Sequence, residues 1–360
     1  MIPSLQHAGL AILIALTFAD FIPHARSLEF HSPIGRDRTR SEWDPVANVF
    51  AVEERAPVGA ERSVHVPAGA FMMGDGSATC GWQERPVLLT HGFRIQVVEV
   101  SNEQYRAMLQ WAYDNDLITA TPSAVHDNMG SPVELVDLDD PECEITFSAG
   151  NFDLREVKYA LNFAYPEGYN PSDHPMKEVS WYGAASYCDW LSLRAGLTPA
   201  YDHSDWSCGP GGVPYEAEGF RLPTDAEWEY VARFDDDRIH PWGAADPKCE
   251  LANFGVDGGF CIRWTTGVST QLVGAQPELS RPIHHLAGNV YEWVNDRWTC
   301  SLGTEPAIDP AGPDSDDRRV IRGGGWYSPV RYLPAAARNN DPADFTAGDV
   351  GLRPVLTVPR

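Results

Sequence analysis

Apolar and polar positions change period several times along this chain, and each change predicts an element. From Val64 to Phe71 they alternate into Gly-rich turns, and Phe93 to Val100 reads as a strand ending at Ser101. The period then lengthens. Tyr105, Met108, Leu109 and Ala112 recur at three and four residues, and Ser101 with Gln104 fits a capping box, which predicts a helix to about Tyr113. A second capped helix opens at Ser180-Trp181 and carries Ala184, Ala185, Tyr187, Cys188, Trp190 and Leu191, where the small residues permit close packing. The third is specified most sharply. Thr224 is its cap, Glu227 completes the box, Trp228 and Val231 face inward, and it should run from Asp225 to about Arg233. Beyond His240 the apolar pieces are short and lie between Gly, Asp and Pro, with no amphipathic pattern longer than two turns. Between the first two helices, residues from about 114 to 172 read as an acidic, loop-rich insertion. It contains the run Glu134 to Asp140, a solvated face by default, and a hairpin-like stretch from Glu144 to Lys158.

Near the start, Ala8 to Ala19 is apolar apart from Gly9 and Thr17, and Thr17-Phe18-Ala19 offers the small residues a signal peptidase reads. A run of about a dozen residues is short of the roughly 20 needed to span a bilayer. Residues 1–19 are therefore expected to be a signal peptide, although Met1 to His7 carries no Lys or Arg. Residues 20–62 form a charged tether, and 63–360 the folded part, exported to the periplasm or the exterior with no membrane-embedded segment after processing.

Charge narrows the partners. The 360 residues carry a net charge of −24, and no Lys/Arg stripe compensates for it, which argues against nucleic acid and favours cations. The 31 Gly and 29 Pro, without a collagen-like period, point to abundant turns and irregular structure. None of the seven cysteines forms a CxxC pair, so zinc-type spacing is absent, and in an exported chain disulfides explain some of them. Cys188, beside Tyr187 and Trp190 in a helical pattern, reads as a free buried thiol. HExxH, P-loop and GxSxG motifs are missing, and the acidic triplet Asp235-Asp236-Asp237 reads as a solvated loop.

Nine ordered segments carry a resemblance that composition does not. They are Val66 to Gly74, Glu99 to Asn102, His174-Pro175 with Glu178 to Trp181, Tyr187 to Trp190, Arg221 to Tyr230, His240 to Gly243, Ala287 to Trp293, Arg322 to Trp326 and Gly351 to Arg353. Together they resemble the formylglycine-generating enzyme family, also called sulfatase-modifying factors, from about residue 64 to 354. The resemblance implies one C-type-lectin-like domain, an irregular, loop-rich α+β fold. It also implies a copper site of two cysteines following the Gly-Gly-Ser segment, since soft thiolates are what Cu(I) requires. Here Ser328 stands at the first position, the stretch before Ala335-Ala336-Ala337-Arg338 is short, and no cysteine follows Cys300. Copper and formylglycine generation by that route are accordingly not expected.

What remains by resemblance is a calcium-stabilised binding or accessory module for a peptide, protein or carbohydrate ligand. Its binding surface would be the groove near Trp326, Tyr327, Ser328, Arg331 and Arg338, where aromatic faces and Arg donors are available. A plain core role for the same aromatics stays open. Family calcium sites map onto Asn289, Val290 and Glu292, and in part onto Asn253 and Phe254; a disulfide maps onto Cys249 and Cys261. The rival reading is a non-haem iron oxidoreductase on the same scaffold, as in other relatives, with His203, His240, His284 and His285 as available imidazoles.

Overall fold

The computed structural model describes residues 63–77, 82–155, 169–233, 238–262, 264–268, 283–314 and 316–358. The expected signal peptide and tether, and Asp235 to Asp237, lie outside them. Among the described residues no helix is long and apolar enough to cross a membrane.

Three α-helices form where the capping signals place them: α1 Asn102–Asp114, α2 Trp181–Ala195 and α3 Asp225–Arg233. The Gln104 N–H donates to Ser101 Oγ, and the Ser101 N–H donates back to Gln104 Oε1. At α3 the Glu227 N–H reaches Thr224 Oγ1 at 3.1 Å and the Thr224 N–H reaches Glu227 Oε2 at 2.8 Å. Capping of this kind is decided by residues three apart, so it survives whatever the rest of the chain does. Helix α2 ends at Gly196, whose φ of 73° is the left-handed conformation that closes a helix without a Cβ penalty.

The helices pack on short strands. A four-stranded sheet runs in the order Arg338–Pro342, Arg318–Arg322, Tyr291–Arg297, Val350–Leu352, antiparallel except for the last pair. A second joins Ser63–Val66, Phe93–Gln96, Val355–Thr357 and Phe220–Arg221, so the two ends of the domain share one sheet. Gly69–Met73 and Arg85–Leu89 pair beside Ala307–Ile308. The result is the irregular α+β architecture expected.

The stretch read as a loop-rich insertion is more ordered than its acidity suggested. It folds into a three-stranded sheet (Ile118–Ala120, Ala124–Asp127, Glu134–Asp137) and the hairpin Ile145–Ser148 with Asn151–Leu154. Leu135, Val136, Leu138, Cys143 and Ile145 are buried in the core shared with α1 and α2. The apolar residues interrupting the acidic run supply that buried face. At Gly183 on α2, a Cβ would stand 2.1 Å from the Leu135 carbonyl oxygen, so the helix can seat on this strand only with glycine there.

Few long ladders means that other forces must fix the loops, and buried arginines do so. Arg221 donates to both oxygens of Glu227 at 2.7 and 2.8 Å. Arg322 reaches Glu229 at 2.7 Å and also Asp225. These pairs are buried, so each guanidinium exchanges hydration for charge-assisted bonds of fixed geometry. Cys143, Cys188 and Cys208 are free and buried, with Cys188 as expected, whereas Cys300 is disulfide-bonded.

Candidate functional site

The strand Arg318–Arg322 runs into Gly323 and Gly324, whose φ values of 90° and 78° turn the chain sharply. The turn carries Trp326 to Ser328 across the strand opening at Tyr291, and the Trp326 N–H donates to the Asn289 carbonyl at 2.8 Å. Facing it is the hairpin Gly255–Val256 with Gly259–Phe260. The Gly255 N–H donates to the Ser328 carbonyl at 3.0 Å, and a Cβ on Gly255 would lie 2.4 Å from the Tyr327 carbonyl oxygen. The Cys249–Cys261 disulfide, with Cα atoms 5.1 Å apart, ties off the base of this hairpin as expected.

Between hairpin and turn lies an open cleft of about 540 Å³, lined by Pro247, Phe254, Val256, Tyr327, Val330 and Arg331 among others. On its lining, Tyr327 and Val330 are 46% and 45% exposed. Next to Tyr327, the Trp326 ring sits 5.3 Å from Phe260, 5.6 Å from Trp264 and 4.9 Å from Tyr327. Lys177 lies 3.4 Å over the Trp264 ring and 3.2 Å from Glu144, so the aromatic wall is braced by a buried ion pair. The Tyr327 hydroxyl donates to Asp349 Oδ1 at 3.0 Å, and burial pushes the Asp349 carboxyl up to about 7.

Of the five residues expected to form the binding surface, the structure brings Tyr327 and Arg331 to the cleft. Trp326 is buried and not among the lining residues, its indole N–H donating to the Gly348 carbonyl. Ser328 is buried, and its Oγ accepts the Gly325 N–H at 2.9 Å, which closes the turn. Arg338 does not belong to the groove: it is buried, with Nε on Asp225 Oδ2 at 2.7 Å and Nη1 on the Thr299 carbonyl. The reason is charge, since Asp225 is buried and needs a cation beside it. The lining residues missed include Val330 and Val256. Their signal was an apolar residue at intervals through a Gly-rich stretch, which reads equally well as a plain turn.

The expected calcium ligands are arranged differently. Glu292 is gripped by Arg353 through Nε and Nη2, and its Oε2 also accepts the Trp228 indole N–H at 2.8 Å. A guanidinium beside this carboxylate fills the cationic role, so Glu292 does not fit a divalent ion. Asn289 Oδ1 accepts the Thr266 N–H at 2.7 Å and its amide donates to Glu99 Oε1. Asn253 Oδ1 accepts the Ile262 N–H, and the Phe254 carbonyl accepts the Cys261 N–H. Among the described residues no three His, Cys, Asp or Glu side chains gather as a metal site. The His284 and His285 rings have centroids 6.4 Å apart, His285 Nδ1 meets Glu99 Oε2 at 3.0 Å, and His203 uses both ring nitrogens on Asp127 and Asp189.

A family model described as the sulfatase-modifying factor enzyme 1-like domain matches residues 49–358. The chain belongs to the sulfatase-modifying factor family. Among its relatives, the formylglycine-generating enzyme of Mus musculus is 28% identical over 322 residues, covering 82% of this chain and 75% of that protein. The formylglycine-generating enzyme of Streptomyces coelicolor is 27% identical over 326 residues, covering 84% and 93%. In solved structures the fold recurs in Treponema denticola variable protein 1, with TM-score 0.53, 23% identity and coverage of 82% and 94%. It recurs also in PvdO from Pseudomonas aeruginosa, with TM-score 0.51, 20% identity and coverage of 82% and 94%. In this member of the family Ser328, folded into the Gly-rich turn, stands where the resemblance implied a thiolate.

Proposed function

We propose that this sulfatase-modifying factor is an exported binding or accessory module whose cleft receives an extended peptide segment. The observation that carries the reading is the pairing of solvent-facing apolar lining residues (Tyr327, Val330) with an inward Ser328 hydroxyl that is already engaged by Gly325. A surface of this kind offers area and orientation but no redox-active ligand. Arg331, stacked at 4.6 Å on Tyr332, is a planar donor for a peptide carboxylate, and the aromatic faces take side chains beside it. The disulfide at the hairpin base limits the cleft's freedom before binding, which lowers the ordering cost of association. A disulfide also suits an oxidising compartment and so supports export.

Fluorescence polarisation against a library of labelled extended peptides tests the reading. Peptides with an apolar residue next to a carboxylate should be selected, and Tyr327→Ala or Arg331→Ala should weaken them by about tenfold, the scale of an interface anchor. Selection of glycans and no peptides on a parallel array would overturn the peptide assignment. Iron recovered stoichiometrically from chelator-free purification would favour the oxidoreductase reading instead.

A further inference from the structure

The Tyr327 cleft carries two charges, one on each wall. Asp257 stands at the tip of the hairpin, where the ladder pairs Gly255 with Phe260 and Val256 with Gly259 and leaves only Asp257 and Gly258 to make the turn. Arg331 stands on the other wall, in the short helical turn Val330–Tyr332. Both residues line the cleft and both are exposed, so a ligand lying in it can reach them without any movement of the fold. No other lining residue is charged. Acidic side chains outnumber basic ones by 51 to 27 in the whole chain, yet here the two signs are balanced and held apart.

Neither charge is neutralised within the fold. Asp257 makes no hydrogen bond or ion pair with any described residue, and Arg331 engages only its neighbour Tyr332, with the guanidinium 4.6 Å over the ring and Nη2 3.4 Å from the hydroxyl. Single surface charges of this kind are ordinary and are served by water. What distinguishes this pair is the frame that separates it. The Cys249–Cys261 disulfide and the bond from the Gly255 N–H to the Ser328 carbonyl, at 3.0 Å, tie the hairpin to the turn, so the two walls keep a fixed spacing. The lining between the charges is apolar, with Val256 on the hairpin and Tyr327 and Val330 opposite it.

We infer that the cleft selects bipolar peptides: extended segments with a basic side chain directed to Asp257, an acidic side chain directed to Arg331 and apolar residues between them. The inference rests on the peptide reading of this cleft and adds the charge pattern to it. Successive side chains of an extended strand point to opposite sides, so residues one or three apart reach opposite walls while their neighbours fill the apolar space. A peptide with two acidic side chains would set one of them against Asp257, and one with two basic side chains would set one against Arg331. A neutral peptide would gain apolar contact alone. Exposed ion pairs are individually weak, so the selection is several-fold and not absolute.

Fluorescence polarisation of the whole protein with four labelled peptides, equal in length and blocked at both ends, tests the pattern. Their centres read Lys-Leu-Leu-Glu, Glu-Leu-Leu-Glu, Lys-Leu-Leu-Lys and Gln-Leu-Leu-Gln. The wild type should bind the first about three- to fivefold more tightly than the others, and the preference should fade in about 1 M salt, where charges are screened within about 3 Å. Two variants reverse the pattern from either side. Asp257→Lys should turn the preference to the diacidic peptide, and Arg331→Glu should turn it to the dibasic one; both positions are exposed, and an unchanged thermal melt shows that each variant is folded. A neutral or like-charged peptide bound by the wild type as tightly as the bipolar one overturns the inference and leaves the peptide reading standing. An unchanged order of preference in both folded variants overturns it as well. If none of the four binds, the inference falls; a peptide library that still selects sequences keeps the peptide reading, and a silent library removes that too.

Discussion

Arg353 holds Glu292 with Nε at 3.0 Å and Nη2 at 2.6 Å, and neither side chain is exposed to solvent. The same guanidinium donates to the carbonyls of Gln96 and His284, so one buried residue ties together three stretches of chain. Glu292→Gln should therefore cost about 3–5 kcal/mol in urea denaturation, because it strands a buried positive charge. The pair also predicts metal behaviour. Melting curves in calcium and in chelator should coincide. A calcium-dependent rise in the wild type that disappears in Glu292→Gln would return this turn to the calcium sites of the family.

His203 lies between Asp127 Oδ1 at 2.8 Å and Asp189 Oδ2 at 3.1 Å. The two carboxylates outweigh burial and push it up to about 9. A folded value above the unfolded one means stability that is full below about pH 6.5 and is lost as pH rises through about 9, on the order of 3 kcal/mol. His174 behaves oppositely: burial, then the nearby Lys177, push it down to about 3. Its contribution is present above about pH 6.5 and is lost as pH falls towards about 3. Unfolding midpoints measured across this range should fall at both ends. His203→Gln should flatten the alkaline limb; an unchanged alkaline limb would mean that the imidazole is not charged in the fold.

The Cys249–Cys261 disulfide closes a loop whose ends are 12 apart in sequence. In the chain-entropy model, Cys249→Ser with Cys261→Ser should lower stability by about 3 kcal/mol. Peptide binding at the Tyr327 cleft should weaken as well, since the hairpin forms one of its walls. Equal binding by the double variant would show that the hairpin is held by Gly255 and its neighbours alone.

Ser328 is buried and committed to the Gly325 N–H. Incubated with copper, oxygen and a peptide containing Cys-x-Pro-x-Arg, the wild type should yield no aldehyde by mass spectrometry. Ser328→Cys should yield none either, because no cysteine follows Cys300 to supply a second thiolate. Aldehyde formed in a reaction dependent on this protein would sink that reading.

The sequence by itself determined whatever a few adjacent residues decide. The caps at Ser101, Ser180 and Thr224 begin helices because the bonds that make a cap span three residues, and the turn-rich loop between Cys249 and Cys261 brings those sulfurs together. Ordered motifs named the family for the same reason: each is a short run read in place. Tertiary structure alone decided where charge would be paired. Arg338 and Asp225 are 113 positions apart, Glu292 and Arg353 are 61 apart, and no local pattern tells a surface arginine from a buried one. The acidic stretch after α1 turned inward at Leu135, Val136 and Leu138 only because α2 supplied a surface to cover them.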